Sequence, residues 1–366
     1  MKYKSKRILL ETNKEFITKK SEDNFHTICV ILGSNCNFKC RYCMQHTGIK
    51  SPINSTDNFE LIKDFIVRTK PKRLLLWGGE PLMYWEQFRE LVMFVRSHFK
   101  DCEVNTITNG SLLTEEKVKF INEYNVGVGI SNDGYATEKT RYVDVLKNPE
   151  IFRLYSEIES KGINTVLSAK TQDVYEVWEY YDKLFAPYFV NVNFDILKNF
   201  KNDEELGNFD FDKFQITLSK LKKDFIDDVL NERYEGRAFL FFKPLLNLAN
   251  HQMVSANSEN IDVLYHLKCG TMTNVIVIDF HGNVYMCKNS DKIIGNIDNI
   301  ENARKELYKE VKIPIWCKEC PYLFICDPAG CVVENEDNKM ESCKINKMIY
   351  GTFLEALKYI LSIRKI

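Results

Sequence analysis

The chain has 366 residues, 45% hydrophobic and 28% charged, a globular composition with enough length for one to three domains. Fifty basic residues stand against 51 acidic ones, so the net charge of −1 supplies no overall field that would gather nucleic acid or an anionic membrane. No run approaches the roughly 18 apolar residues of a membrane span, and the N-terminal apolar stretch Ile8-Leu9-Leu10 is too short for a secretory signal, which predicts a cytoplasmic protein.

Residues 1–26 carry mixed charge with a weak alternation and are read as an N-terminal extension. Over 27–196, short β-branched runs alternate with amphipathic segments of helical length. Strands are expected at 27–32, 73–77, 103–108, 127–131, 164–169 and 190–194, and helices at 58–69, 84–99, 114–124, 149–161 and 174–184. Such alternation predicts the α/β class, a parallel sheet with helices outside. Six units are too few for a complete eightfold barrel, so a partial (β/α)6 TIM-type barrel is expected. Ligands of these folds sit at the carboxyl ends of the strands. The informative residues fall there: Cys36, Cys40 and Cys43 after the first strand, Gly78-Gly79-Glu80-Pro81 after the second, Asn109-Gly110 after the third, and Ser131-Asn132-Asp133-Gly134 at the end of the fourth.

Three thiolates on a short loop can close around one face of a [4Fe-4S] cubane and leave the fourth iron without a protein ligand. A tetrahedral zinc site would need a fourth ligand, for which His46 is nearest, and the loop alone leaves that alternative open. The glycine pair allows close approach of main-chain carbonyls to a bound ammonium group, with Glu80 adding an acceptor. A plain turn with Pro81 at a helix start is the simpler alternative.

Residues 197–262 read as a helical linker or cap, with an amphipathic pattern at 210–231 and an apolar one at 239–248. Seven cysteines follow between 269 and 343, namely Cys269, Cys287, Cys317, Cys320, Cys326, Cys331 and Cys343, and 275–287 reads as a β-hairpin around His281-Gly282-Asn283. Twelve cysteines in a reducing compartment argue for metal or redox chemistry over disulfides. Cys29 and Cys102 lie beside apolar runs and are read as core. A zinc ribbon built on Cys317, Cys320 and two others would strand three of the seven. The expected division is a cysteine-rich iron–sulfur domain over 263–345 and a C-terminal helix over 346–366.

Cys36-x3-Cys40-x-Tyr42-Cys43 resembles the cluster loop of radical S-adenosylmethionine (SAM) enzymes, and Gly78-Gly79-Glu80-Pro81 resembles their GGEP motif. The intervals x2, x5 and x4 from Cys317 to Cys331 resemble those of the SPASM domain, whose last interval is one residue shorter. The resemblance covers residues 27–345. It implies that the open iron is chelated by the amino and carboxylate groups of SAM, with Tyr42 beside the adenine. Gly78, Gly79, Glu80, Pro81 and Asn109 would lie around the cofactor, and Ser131 and Arg141 resemble the polar pair that holds its carboxylate. One electron would then cleave SAM to methionine and a 5'-deoxyadenosyl radical that takes a substrate hydrogen. Carried over residue by residue, Cys317, Cys320, Cys326 and Cys343 would hold one auxiliary [4Fe-4S] cluster. Cys269, Cys287 and Cys331 would hold another that is one ligand short, completed by His266 or Asp279 or left open.

The activity implied is oxidation or cross-linking of side chains in a ribosomal peptide or a protein. The layout is similar to that of anaerobic sulfatase-maturating enzymes, but Lys288 stands where those carry an aspartate base after the cysteine equivalent to Cys287, so no catalytic base is assigned. Implied partners are a flavodoxin- or ferredoxin-type electron donor and, because few residues precede the barrel, a separate leader-peptide recognition protein. A small-molecule radical SAM dehydrogenase and a zinc-stabilised binding protein without enzymatic activity are the alternatives.

Overall fold

Six parallel strands form where β-branched runs alternate with amphipathic segments: β1 Thr27–Ile31, β2 Arg73–Trp77, β3 Glu103–Thr108, β4 Val126–Ser131, β5 Lys161–Leu167 and β6 Val192–Ile196. Helices Phe59–Thr69, Trp85–His98, Glu115–Glu123, Pro149–Ser156 and Val174–Phe185 connect or flank them. The computed structural model describes residues 25–44, 58–198, 203–256, 272, 274–310, 315–317, 320–322, 325–326 and 336–364. Cys269, Cys331, His46, His266 and most of the N-terminal extension lie outside them.

β1 is apolar from Ile28 to Ile31 and buried at every position, Thr27 included, as a strand covered on both faces must be. In β2 to β5 burial alternates. Leu74, Leu76, Val104, Thr106, Val128, Ile130, Ile163 and Thr165 are fully buried and share one face, the one packed on the helices. Leu75, Trp77, Asn105, Ile107, Ser131, Asn164 and Val166 are half-buried and face the hollow of the barrel.

Two expectations shift. The helix expected over 149–161 ends at Ser156, because Lys161 Nζ turns back to the carbonyls of Ser156 (2.9 Å) and Ile158 (2.6 Å), and β5 begins at Lys161 instead of 164. The boundary drawn at 345 falls inside one helix, Glu336–Arg364. Ile345, Ile349, Phe353, Ala356 and Ile360 form its continuous buried stripe, so Cys343 is a helical residue.

The hairpin is found as expected, with β7 Val275–Ile278 antiparallel to β8 Asn283–Tyr285 and then β9 Ile293–Asn296. It is not separate from the barrel sheet. β7 pairs parallel with β1, giving one nine-stranded sheet of order β6-β5-β4-β3-β2-β1-β7-β8-β9. On the other side, helices Phe211–Leu230 and Arg237–Ala256 pack with Glu336–Arg364 around Phe225, Phe242 and Phe353, whose ring centroids lie 5.1 to 5.9 Å apart. Among the described residues no helix is long and apolar enough to cross a membrane.

Candidate active site

The cysteine loop leaves β1 and continues the pairing of β1 with β2 past their ends. Leu32 N donates to Trp77 O (2.8 Å), Gly79 N to Gly33 O (3.0 Å) and Glu80 N to Asn35 O (2.9 Å). This zippering explains the glycines: a Cβ on Gly79 would lie 2.2 Å from Asn35 O, and one on Gly78 2.6 Å from Gly33 O. The pair therefore serves close packing of two loops within the protein. Gly79→Ala is expected to push the loops apart and to remove one cluster, about four irons per chain, readable by iron and sulfide analysis; full iron content in that variant would show that the loop tolerates the displacement.

Glu80 is buried and joins three elements. Its Oε1 accepts from Leu82 N (3.0 Å) and Thr108 Oγ1 (2.6 Å), and its Oε2 from Asn109 N (2.7 Å). Burial pushes its pKa up, and these donors pull it back. The carboxylate is thus mainly a strut between β2 and β3, where an acceptor for a bound ligand was expected. Pro81 opens a single 3-10 turn, Pro81–Met83, so the simpler turn is present as well. Asn109 extends the strut: its Nδ2 donates to Asn37 Oδ1 (2.8 Å) and lies 3.9 Å from Cys36 Sγ.

The far side of the loop is held by Asp133, which has no exposed surface. Its Oδ2 accepts from Tyr42 Oη (2.5 Å), Thr140 Oγ1 (2.6 Å) and Arg141 Nε (3.0 Å), and its Oδ1 from Val166 N (2.9 Å) and Arg141 Nη2 (3.3 Å). The Arg141 guanidinium also lies 5.1 Å from the centroid of the Tyr42 ring. Burial opposes its charge, but Asp133, Tyr42 and Cys40 outweigh burial and hold it protonated. Arg41 completes the clamp with a two-point pair to Asp203 at 2.7 Å. Asp133 is the residue sequence reasoning missed; its only signal was a place at the end of the fourth strand.

Within this clamp the thiols are mutual neighbours. Burial, opposed by Arg141 and reinforced by Cys43, Cys36 and Asp133, leaves Cys40 raised to about 11. Burial likewise raises Cys36, with Cys43 adding to the effect. Ser131 ends β4 half-buried, in register with Asn164.

Across the hollow, Lys288 Nζ stands 4.0 Å from the centroid of Trp77, one residue before the glycine pair. Burial raises Cys287, and both Lys288 and Lys198 pull it down. Lys198 follows β6 and Lys288 follows β8, strands that lie near opposite ends of the sheet order. Asp279, offered as a completing cluster ligand, is occupied: it accepts from His281 N (2.8 Å), Asn283 N (3.0 Å), Asn283 Nδ2 (3.0 Å) and Tyr285 Oη (2.8 Å). Four donors fill the acceptor sites of a carboxylate, so Asp279 shapes the hairpin turn instead.

A second chamber gathers Cys317, Cys320, Cys326 and Cys343, with Trp316, Tyr322, Asn346, Lys347 and Tyr350 as its other walls. The Oδ1 of Asn346 is buried there without a hydrogen-bond partner. Among the described residues no three Cys, His, Asp or Glu side chains are gathered tightly enough for a single metal ion. Four converging thiols with an unmatched amide fit the wider [4Fe-4S] group better than a zinc ion, which needs its sulfurs within about 2.3 Å of one centre.

Residues 30–168 match the model of the Radical SAM superfamily. The chain is 25% identical over 350 residues to a cysteine-type anaerobic sulfatase-maturating enzyme of Clostridium perfringens, covering 84% of this chain and 90% of that one. It is 24% identical over 341 residues to a serine-type enzyme of Bacteroides thetaiotaomicron, covering 81% and 80%. Among solved structures, anSMEcpe with bound AdoMet and a peptide superposes with a TM-score of 0.66 at 19% identity, covering 92% of this chain and 99% of that one. SuiB of Streptococcus suis bound to its precursor peptide SuiA gives 0.58 at 14% identity, covering 83% and 71%. The two structural likenesses speak for the shared fold, a parallel sheet closed partway to a barrel.

Proposed function

This chain is an enzyme carrying a radical SAM domain, with SAM and [4Fe-4S] clusters as cofactors, and on that premise we propose that it matures a ribosomal peptide or a protein by oxidising or cross-linking a side chain. The observation that carries the proposal is the clamped loop, which holds Cys36, Cys40 and Cys43 as neighbours at the carboxyl ends of the strands. Likeness over most of the chain to enzymes named for maturing sulfatases supports a peptide substrate.

Bound there, a [4Fe-4S] cluster and SAM would supply one-electron cleavage of the sulfonium and, through it, removal of a hydrogen atom from a substrate carbon. Cys36, Cys40 and Cys43 would hold three irons of such a cluster, and the clamp made by Glu80, Asn109, Asp133 and Arg41 would keep their loop in place. Tyr42, Asn109, Ser131 and Arg141 surround the mouth, together with Gly78, Gly79, Glu80 and Pro81, which set the loop's position. Their assignment to the cofactor follows the order in which β2, β3 and β4 deliver them to the mouth. Lys288 and Trp77 mark the substrate side, where a lysine cannot reproduce a carboxylate base. Oxidation would leave one further electron and a proton to remove; Cys317, Cys320, Cys326 and Cys343 would hold an auxiliary cluster supplying an acceptor for that electron, and Cys269, Cys287 and Cys331 would hold the second. An external flavodoxin- or ferredoxin-type protein would supply the electron for SAM cleavage.

Anaerobically purified enzyme is expected to hold about twelve irons in three clusters. Given dithionite, SAM and the short peptides encoded beside its gene, it should form 5'-deoxyadenosine together with a changed peptide mass. Nucleoside formation with every peptide mass unchanged would sink the maturase proposal and favour a small-molecule substrate. Zinc without iron or sulfide would sink the enzyme itself.

A further inference from the structure

We propose that the side-chain amide of Asn346 donates a hydrogen bond to the cluster held by Cys317, Cys320, Cys326 and Cys343, and that this bond raises the cluster's reduction potential. The inference rests on the ligand assignment proposed above for those four cysteines.

Cys343, Asn346, Lys347 and Tyr350 are at i, i+3, i+4 and i+7 on the helix Glu336–Arg364, and all four line the chamber. Trp316, Tyr322 and Tyr350 make the other walls aromatic. Into this setting Asn346 brings an oxygen that is buried and unmatched. An unmatched buried polar atom costs about 1–3 kcal/mol, so its place in a native chamber calls for a partner that the described side chains around it do not supply. The two ends of an asparagine amide are distinguished by their partners alone. A thiolate-bound cluster presents sulfur acceptors and no donors, so the end that turns toward it is the N–H2 end.

Hydrogen bonds to cluster sulfurs favour the reduced state, which carries one more negative charge, and so move the potential upward. The aromatic walls keep the local dielectric low, where one donor counts for more than it would in water. Lys347 also faces the chamber, but its side chain is exposed and its charge is screened by solvent. Asn346 is therefore the stronger of the two levers. It acts through the cluster as a positioning and tuning residue and leaves the ligand count unchanged.

Potentiometric titration followed by electron paramagnetic resonance reads the effect directly. The full chain carrying Cys36→Ala, Cys40→Ala and Cys43→Ala leaves the auxiliary clusters as the source of signal. Adding Asn346→Leu is expected to move one of the two auxiliary waves to more negative potential, with iron content and the other wave unchanged. Asn346→Asp, equal in size and lacking the donor, should move the same wave further in the same direction. Full iron and unmoved potentials in both variants overturn the inference. So does loss of iron in Asn346→Leu beside an unmoved potential in Asn346→Asp, because the amide would then only fill space. If Cys343→Ala leaves both auxiliary signals intact, the ligand assignment fails and the tuning proposal falls with it.

Discussion

Replacing Cys36, Cys40 and Cys43 together with alanine should abolish reductive cleavage of SAM, lowering 5'-deoxyadenosine formation to the uncatalysed background. The expected size of the effect follows from what the loop supplies. Thiolate ligands hold the cluster itself, and without them no iron remains at the mouth for a ligand to bind. The fold should survive, because the three side chains are half-exposed and the loop's docking rests on other groups, namely the main chain of Gly33 and Asn35 and the side chains of Asn37, Arg41 and Tyr42. The auxiliary chamber is built from a different part of the chain, so its absorbance should persist. Cleavage that continues in the triple variant would mean that the roles of the cysteine sets have been assigned the wrong way round.

Asp133→Ala is the second large effect, expected on stability first and activity second. The carboxylate accepts five hydrogen bonds and faces the buried guanidinium of Arg141. Removing it leaves a buried positive charge without its partner, a loss on the order of 3–5 kcal/mol. It also frees the Tyr42 hydroxyl, and with it one side of the cysteine loop. Urea unfolding should show a lower midpoint at an unchanged slope, and SAM binding should weaken in the folded fraction. The double variant Asp133→Ala/Arg141→Met removes both charges and should recover much of the midpoint, the coupling expected for residues in one network. A single variant as stable as the parent, or a double variant no better than the single, would mean that the pair is solvated and energetically idle.

The cysteine loop was legible because its chemistry is local. Cys36, Cys40 and Cys43 lie within eight residues and directly follow the buried run that became β1, so spacing alone placed three thiols on one turn at a strand end. Strand positions were legible for a similar reason: burial on one or both faces leaves a periodic signature in the residues themselves. Helix ends were less so. Lys161 belongs to the apolar rhythm of 149–161, and only its ammonium, turned back on Ser156 O and Ile158 O, shows that the helix has already stopped.

Glu80 and Arg141 mark a different limit. Both were singled out by resemblance to a motif or a polar pair, and both stand at the mouth, yet each is bound first to the protein. Glu80 ties Thr108 and Asn109 to Leu82, and Arg141 neutralises Asp133. Apart from Leu82, the partners lie 8 to 29 residues away in these cases, and their identity is set by which strand ends meet, a matter of sheet order. The parallel pairing of β7 with β1, 248 positions apart at Thr27 and Val275, belongs to the same class.

Residue type and short-range spacing were enough to specify the α/β alternation, the three-thiol turn and the cysteine-rich tail, because each rests on forces that act within about one turn or one strand of the chain. The buried Asp133–Arg141–Tyr42 knot, the occupied carboxylates of Glu80 and Asp279, and the union of hairpin and barrel in a single sheet arose from folding in three dimensions. Those features depend on charges and hydrogen-bonding groups finding partners remote in sequence, and a buried polar group must be matched wherever the chain happens to bring it.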